Sequence, residues 1–314
     1  MAAIAPDGTT WAHEIRTFSR DVEAESRGEI RLKWYLGGIA GDELTALERV
    51  RHGQLDGLAG ASFCDHVAPS LSVIRVAGLF ESRDEVAFVL GRLKPLLDEE
   101  ARRGGFANLA DSVFGADLIF SRRPIRTMAE LAATRWWMWD QSPVWLRMMT
   151  ALHWQVQPAS VDDLVPLYDK GAVDGFMVPP GAALAYQWST MAVYMTPLET
   201  AWLPGCVMIS NAAIDPLSVE QQRAIRSAAA KFRLRWNDAT EQLDQALVDG
   251  LFQKQGLQRV AVTPQLQADF AAAMKLARAK LDEGQVPRAS LSQVEKLLDE
   301  YRASRKQTHA PSPH

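Results

Sequence analysis

Apolar positions along this chain switch repeatedly between a helical period and a period of two, as they do where helices alternate with strands. The opening Ala2-Ala3-Ile4-Ala5-Pro6 reads as a first strand entered at once. Trp11, Ile15, Phe18 and Val22 then recur at helical spacing, and Arg27-Gly28 closes that helix with a basic last turn and a C-cap glycine. Residues 29–35 alternate, with Ile30, Leu32 and Trp34 on one face, and predict a second strand. A glycine turn over 37–41 delivers the chain into a helix over 42–52 that Gly53 ends. Residues 55–60 form a short apolar strand ending in small residues, followed by a loop through Phe63, Cys64, Asp65 and His66. Loops at the carboxyl ends of parallel strands form the crevice of open α/β sheets, which makes 60–64 a candidate binding wall.

Further on, a helix over 83–103 precedes strands at 107–110 and 116–122, with Pro124 breaking the pattern. Residues 135–139, Arg-Trp-Trp-Met-Trp, are the most unusual stretch. Period two sends Arg135, Trp137 and Trp139 one way and Trp136 and Met138 the other. A helix over 143–152, a strand at 155–157, a helix over 161–170 and a strand at 173–178 complete a β-α-β-α-β run, the grammar of a parallel sheet. Residues 218–255 are helical throughout and free of proline, long enough to brace two lobes. The polar tail 303–314 holds two prolines and is expected to fray as a flexible end.

Composition narrows the function classes. With 314 residues, 47% apolar and 23% charged, the chain suits two lobes of ordinary size rather than a disordered or fibrous protein. A net charge of −4 and the lack of a basic cluster interleaved with aromatics exclude a nucleic-acid partner. No window approaches the roughly 18 to 20 consecutive apolar residues of a membrane span. Cys64 and Cys206 have no zinc or thioredoxin-like spacing; they are expected to be free and buried, with a pairing as the alternative in an oxidising compartment. No nucleophile elbow, metalloprotease helix, phosphate loop or dinucleotide fingerprint occurs, and the six histidines lack metal-ligand spacing. Asp65-His66 beside Cys64 is the sole catalytic-looking constellation, and chain neighbours rarely meet in that geometry. The expectation is a binding protein without catalytic residues, metal or cofactor.

Several segments in order, Pro6-Asp7-Gly8-Thr9-Thr10-Trp11, Tyr35 to Glu43 around Gly37-Gly38, Gly53-Gln54-Leu55-Asp56-Gly57, Arg123-Pro124-Ile125, Glu130-Leu131 and Val173-Asp174-Gly175, together resemble the DctP-like solute-binding proteins of tripartite ATP-independent periplasmic (TRAP) transporters, over residues 3–300. The resemblance implies an α/β clamp of two lobes, each a mixed sheet flanked by helices, with a long helix spanning both. It implies lobe I from 1–122 plus about 206–250 and lobe II from 123–205 plus about 251–302. It also implies a periplasmic monomer, its export signal removed, that hands a small molecule to the small and large integral-membrane permease subunits.

Departures from the family pattern bear on the ligand. Family members that take organic acids hold the carboxylate with an arginine on the strand after the Glu-Leu element, because a guanidinium fork satisfies both oxygens. Here Trp137 has that place, and Arg135, two residues earlier on the same face, reaches it only by a register shift. After Val173-Asp174-Gly175 the family's Gln-Glu-Asn-Pro becomes Phe176-Met177-Val178-Pro179, and the loop after the Leu-Asp-Gly strand holds Ala61, Ser62 and Phe63. Lost polarity at three places predicts an apolar or aromatic solute, with Trp137, Trp139, Trp202, Trp11, Phe63, Ser62, Phe80, Met177 and Val178 as ligand contacts. The indoles could also cage an alkylammonium, balanced by Asp117 or Glu199. The alternatives are an organic acid held by Arg135, or a sensor or lipid carrier without a permease. Trp136, on the opposing face, and Trp34, Trp145, Trp154 and Trp188 are expected to be packing residues.

Overall fold

The computed structural model describes residues 1–308, and among them nine strands form two sheets. In the first sheet β1 (Gly57–Gly60) and β2 (Phe106–Ala116) flank β8 (Trp202–Ser210), antiparallel to it on both sides. The second contains β3 (Leu118–Ser121), β4 (Arg135–Trp139), β5 (Gln155–Ala159), β6 (Gly175–Val178), β7 (Tyr194–Thr196) and β9 (Gln258–Arg259), in the order β5-β4-β6-β3-β7-β9. β4 runs parallel to β5 and β6, as the β-α-β run requires, whereas β3 is antiparallel to both its neighbours. The result is a two-lobed clamp built on two sheets flanked by helices.

The chain changes sheet at Asp117, between β2 and β3, and returns between β7 and β8. These two crossings are tied together: the Asp117 amide donates to Ala201 O at 2.8 Å, and the Thr200 amide and hydroxyl both donate to Asp117 O at 2.9 Å. The sequence reading placed the lobe change after residue 122 and merged 116–122 into one strand. The switch at Asp117 instead puts β3 in the second lobe and lets β2 run unbroken from Phe106.

The long helix Val219–Ala246 crosses both lobes, packing on the helix Thr10–Glu25 and on β2 in one and on the short helix Pro180–Ala185 in the other. Ser218 caps it in a reciprocal box with Gln221. It does not continue to 255 as one regular helix: a wider turn over Leu247–Leu251 contains Gly250 in non-helical geometry before the last stretch Phe252–Lys254. The close crossing depends on Gly115, where a Cβ would lie 2.4 Å from Asp244 Oδ2 of this helix.

The remaining differences have local causes. Residues 29–35 form no ladder, and only Tyr35 bridges to Ala2. Their alternation reflects packing of Ile30, Leu32 and Trp34 on the lobe I core, with the Trp34 indole N–H donating to Ser19 Oγ at 2.7 Å. The opening strand likewise contributes isolated bridges only. Ser62–Val67 is a helix, not a loop, because buried Glu43 accepts from the Ala61 and Phe63 amides at its start. That helix places Cys64 beside Cys206, itself opposite Gly60 in the β1–β8 register, and the two form a disulfide across 142 residues of sequence. The expectation of free thiols is thereby corrected, and Cys64 has no thiolate to offer.

The last helix, Arg288–Thr308, takes in residues 303–308 of the expected tail; 309–314 lie outside the described residues. It packs on the first lobe, with Arg302 paired to Glu85 at 2.7 Å and Tyr301 against Phe88 at 4.8 Å, rather than on the second as the sequence division had it.

Behind the site, fully buried Trp136 donates from Nε1 to Leu131 O at 2.9 Å and packs over Gly175, where an added Cβ would meet the indole at 2.6 Å and Phe120 O at 2.8 Å. Gly175→Ala is expected to lower stability by about 1–3 kcal/mol in urea unfolding. An unchanged midpoint would mean that the β4–β6 pairing is not as described.

Candidate functional site

The carboxyl ends of β4, β5 and β6 open onto a cavity of about 390 Å³ between the lobes, the expected place for a crevice in a parallel sheet. The first lobe supplies a wall of three rings. Trp11 meets Phe114 edge-on at 4.8 Å, and Phe114 meets Trp236 edge-on at 5.0 Å. Trp236 is anchored by its N–H to Val113 O at 3.0 Å. Across the cavity, Trp137 lies 5.5 Å from Trp188, which stacks on Tyr186 at 4.7 Å. The Tyr186 hydroxyl reaches back to Ile4 O at 3.2 Å in the first lobe. Because Trp137 and Trp236 give their N–H groups to backbone carbonyls, with Trp137 donating to Ser160 O at 3.3 Å, they offer a solute ring surface rather than hydrogen bonds.

No lysine or arginine lines this cavity among the described residues, whereas Asp7, Glu43, Asp117 and Asp244 do. Glu43 is fully engaged, accepting from the Ala61 and Phe63 amides and the Ser62 hydroxyl; burial pushes its carboxyl up against their pull. Asp244 accepts from the Gly181 amide at 3.0 Å and faces Arg83 at 3.5 Å, and burial pushes it up to about 7. Asp117 is 7% exposed, and burial pushes it up to about 8 against the field of Arg75 and the neighbouring Trp145 indole.

Of the residues singled out from sequence, Trp11, Asp117, Trp137, Trp139, Met177 and Val178 line the cavity. Arg135 does not. It starts β4 at the end away from the crevice, exposed, with both guanidinium contacts on Asp174 at 2.7 and 2.8 Å. The register pairing Trp137 with Phe176 and Gln157 leaves no shift by which Arg135 could replace it. Phe63 points into the core from the Ser62–Val67 helix, Ser62 binds Glu43 and Gln141, and Phe80 is core as well. Trp202 and Glu199 line an adjoining cavity of about 760 Å³ that shares Asp244 with the first, where Arg83 sits 5.9 Å over the Trp202 ring, so neither joins the cage around Trp137.

Sequence reasoning assigned Trp145 and Trp188 to packing and passed over Trp236, Tyr186, Glu43 and Asp244, all of which line the cavity. A signal existed for two of them. Trp145 is in the first turn of the helix after β4, at a strand's carboxyl end, and Trp236 is on the helix that spans both lobes.

The sequence profile of the DctP family, bacterial extracellular solute-binding protein family 7, matches residues 1–283. The chain belongs to that family. Its members bind solutes and are not enzymes. A solute-binding protein of Chromohalobacter salexigens is 21% identical over 250 residues, 75% of this chain and 72% of its own. Among solved structures, a TRAP periplasmic solute-binding protein of Ochrobactrum anthropi, with its own C-terminus in the ligand pocket, superposes with a TM-score of 0.85 at 20% identity, covering 99% of this chain and 97% of that one. Another from Chromohalobacter salexigens, with bound D-glucuronate, gives 0.85 at 18%, covering 94% and 98%. One from Xanthobacter autotrophicus, with bound β-D-galacturonate, gives 0.83 at 20%, covering 94% and 98%. The two-lobed fold is that of the TRAP receptors, and no helix among the described residues is long and apolar enough to cross a membrane.

Proposed function

We propose that this DctP-family protein is a periplasmic receptor that captures an apolar or aromatic, non-anionic solute between its lobes and delivers it to TRAP permease subunits. One observation carries the choice of solute: the cavity is walled by indoles and lined by carboxylates, with no lysine or arginine on its surface among the described residues. An anion there would lose water and gain only neutral donors, such as the unpaired Trp145 indole N–H, beside like charges, which is unfavourable, whereas apolar area gains about 25 cal/mol per Å² on burial. The disulfide fits an oxidising compartment and so supports the periplasmic assignment.

The uronates bound by related receptors favour a second reading, an organic acid as ligand. Arg135 is placed too far from the crevice to serve it. An acid would need to draw on Arg75, whose Nε holds Asp65 while its Nη2 has no partner, or to take Arg83 from Asp244.

Thermal-shift measurements against uronates and small dicarboxylates on one side and aromatic and terpenoid compounds on the other separate the two. A solute at a hundred times its Kd adds about 2.7 kcal/mol of stability. Stabilisation by the second group alone is expected; stabilisation by the acids alone would replace the proposal with the organic-acid reading.

A further inference from the structure

We infer that the solute carries a positively charged nitrogen and that Asp117 is its counter-ion inside the aromatic cavity. This rests on the proposal above and names the solute class more closely.

Asp117 differs from the other carboxylates at the site. Its backbone is committed to the crossing between the lobes, through Ala201 and Thr200, so the side chain is fixed where the two lobes meet. It is buried, yet it lines the cavity, and among the described residues its side-chain oxygens accept no hydrogen bond, not even from the neighbouring Trp145 indole N–H, which is itself without a partner. Arg75, whose field reaches it, is bound to buried Asp65. Glu43 has three donors, and Asp244 has the Gly181 amide and Arg83. A buried carboxylate that accepts from none of the neutral donors around the cavity is best satisfied by a charged donor that arrives with the ligand.

The surroundings suit an ammonium. Trp137, Trp145 and Trp188 bring π surface to the same cavity, which attracts cations most strongly where water is excluded. Among the described residues no lysine or arginine on the wall opposes it. A volume of about 390 Å³ holds one aromatic or apolar body with a short aminoalkyl arm. The class is an aryl- or alkyl-substituted amine, from primary to quaternary, and an inorganic cation would leave the rings without a partner.

The test uses amine, alcohol and carboxylate triplets on a common ring: phenethylamine, 2-phenylethanol and phenylacetate, with the naphthyl and indolyl equivalents, titrated calorimetrically into the full chain. In at least one triplet the amine is expected to bind at least about tenfold tighter than its alcohol, and the carboxylate weaker than either. Asp117→Asn should reduce the amine to the level of the alcohol while the alcohol keeps its affinity. The wild-type comparison stands even if that variant fails to fold. Amines no tighter than their alcohols in every triplet, absence of binding included, would overturn the inference; binding of the alcohols in that case would leave the proposed apolar receptor intact. Carboxylates binding tightest would overturn both.

Discussion

Trp137→Ala is expected to weaken binding of an aromatic probe by about 30-fold or more and also to lower the melting temperature of the empty protein. Both effects follow from the position of the ring. One face looks into the cavity, and the rest of the side chain, 3% exposed, packs in the second-lobe core against Trp188. Removing a buried indole leaves a void that costs about 3–5 kcal/mol, so the fold would be visibly weakened. A central aromatic contact truncated to alanine typically costs 2 kcal/mol or more of binding, which is the source of the affinity estimate. The two effects are separable by titrating well below the variant's melting temperature, with Trp139→Ala, whose partly buried ring is less embedded, as the comparison. Undiminished affinity in folded Trp137→Ala would remove this ring from the site. Trp137→Arg is the converse test: a guanidinium there would stand opposite Asp117 and Asp244, and uronate binding is not expected to appear unless those carboxylates are neutralised too.

The α/β alternation was legible in the sequence because β-α units there show a switch of period, and because β4 pairs in parallel with β5 and β6, whose carboxyl ends must carry the crevice; the two-lobed clamp came from the family resemblance. Trp137 came from the family resemblance rather than from pattern, as the indole standing where that resemblance implies a ligand arginine, and it lines the cavity. What pattern could not supply was the direction in which short elements turn after a strand. Phe63 looked like a wall residue as long as 62–67 was a loop; as a helix pinned by Glu43 the same segment sends Phe63 into the core and leaves only Ala61 facing the cavity. Arg135 and Trp137 share a strand face, but that face runs from solvent to cavity over two residues, and Asp174 holds the arginine at the wet end. Trp236 and Asp244 reach the cavity from the far end of the chain, through a helix crossing that depends on Gly115 being small. Contacts of such sequence separation leave no local trace in a hydrophobic pattern.

Asp117→Asn is expected to stabilise the empty protein above neutral pH and to leave it unchanged below about pH 4, and the same carboxylate should govern how binding responds to pH. Burial raises the folded-state carboxyl from 3.8 to about 8, so between those values the folded chain keeps a proton that the unfolded chain has lost. Stability therefore falls as pH rises through that window and levels off above it. A shift of this size sets a ceiling of about 6 kcal/mol; relaxation and water entering the cavity reduce the expected gain in the variant to about 2–4 kcal/mol. The charged groups facing this site are Arg75, paired with Asp65, on one side and Asp7, Glu43 and Asp244, with Arg83 beside Asp244, around the cavity; Asp244, raised to about 7, also titrates in the window. The part due to Asp117 is thus the difference between wild type and Asp117→Asn. An ammonium binds the ionised carboxylate, so phenethylamine affinity in the wild type should rise by up to about tenfold per pH unit until pH reaches the carboxyl's pKa, then flatten. That slope should shrink in the variant. A carboxylate ligand would require Asp117 to be neutral and would show the opposite sign, with affinity falling as pH rises, so the direction of this one profile decides between the amine and the acid.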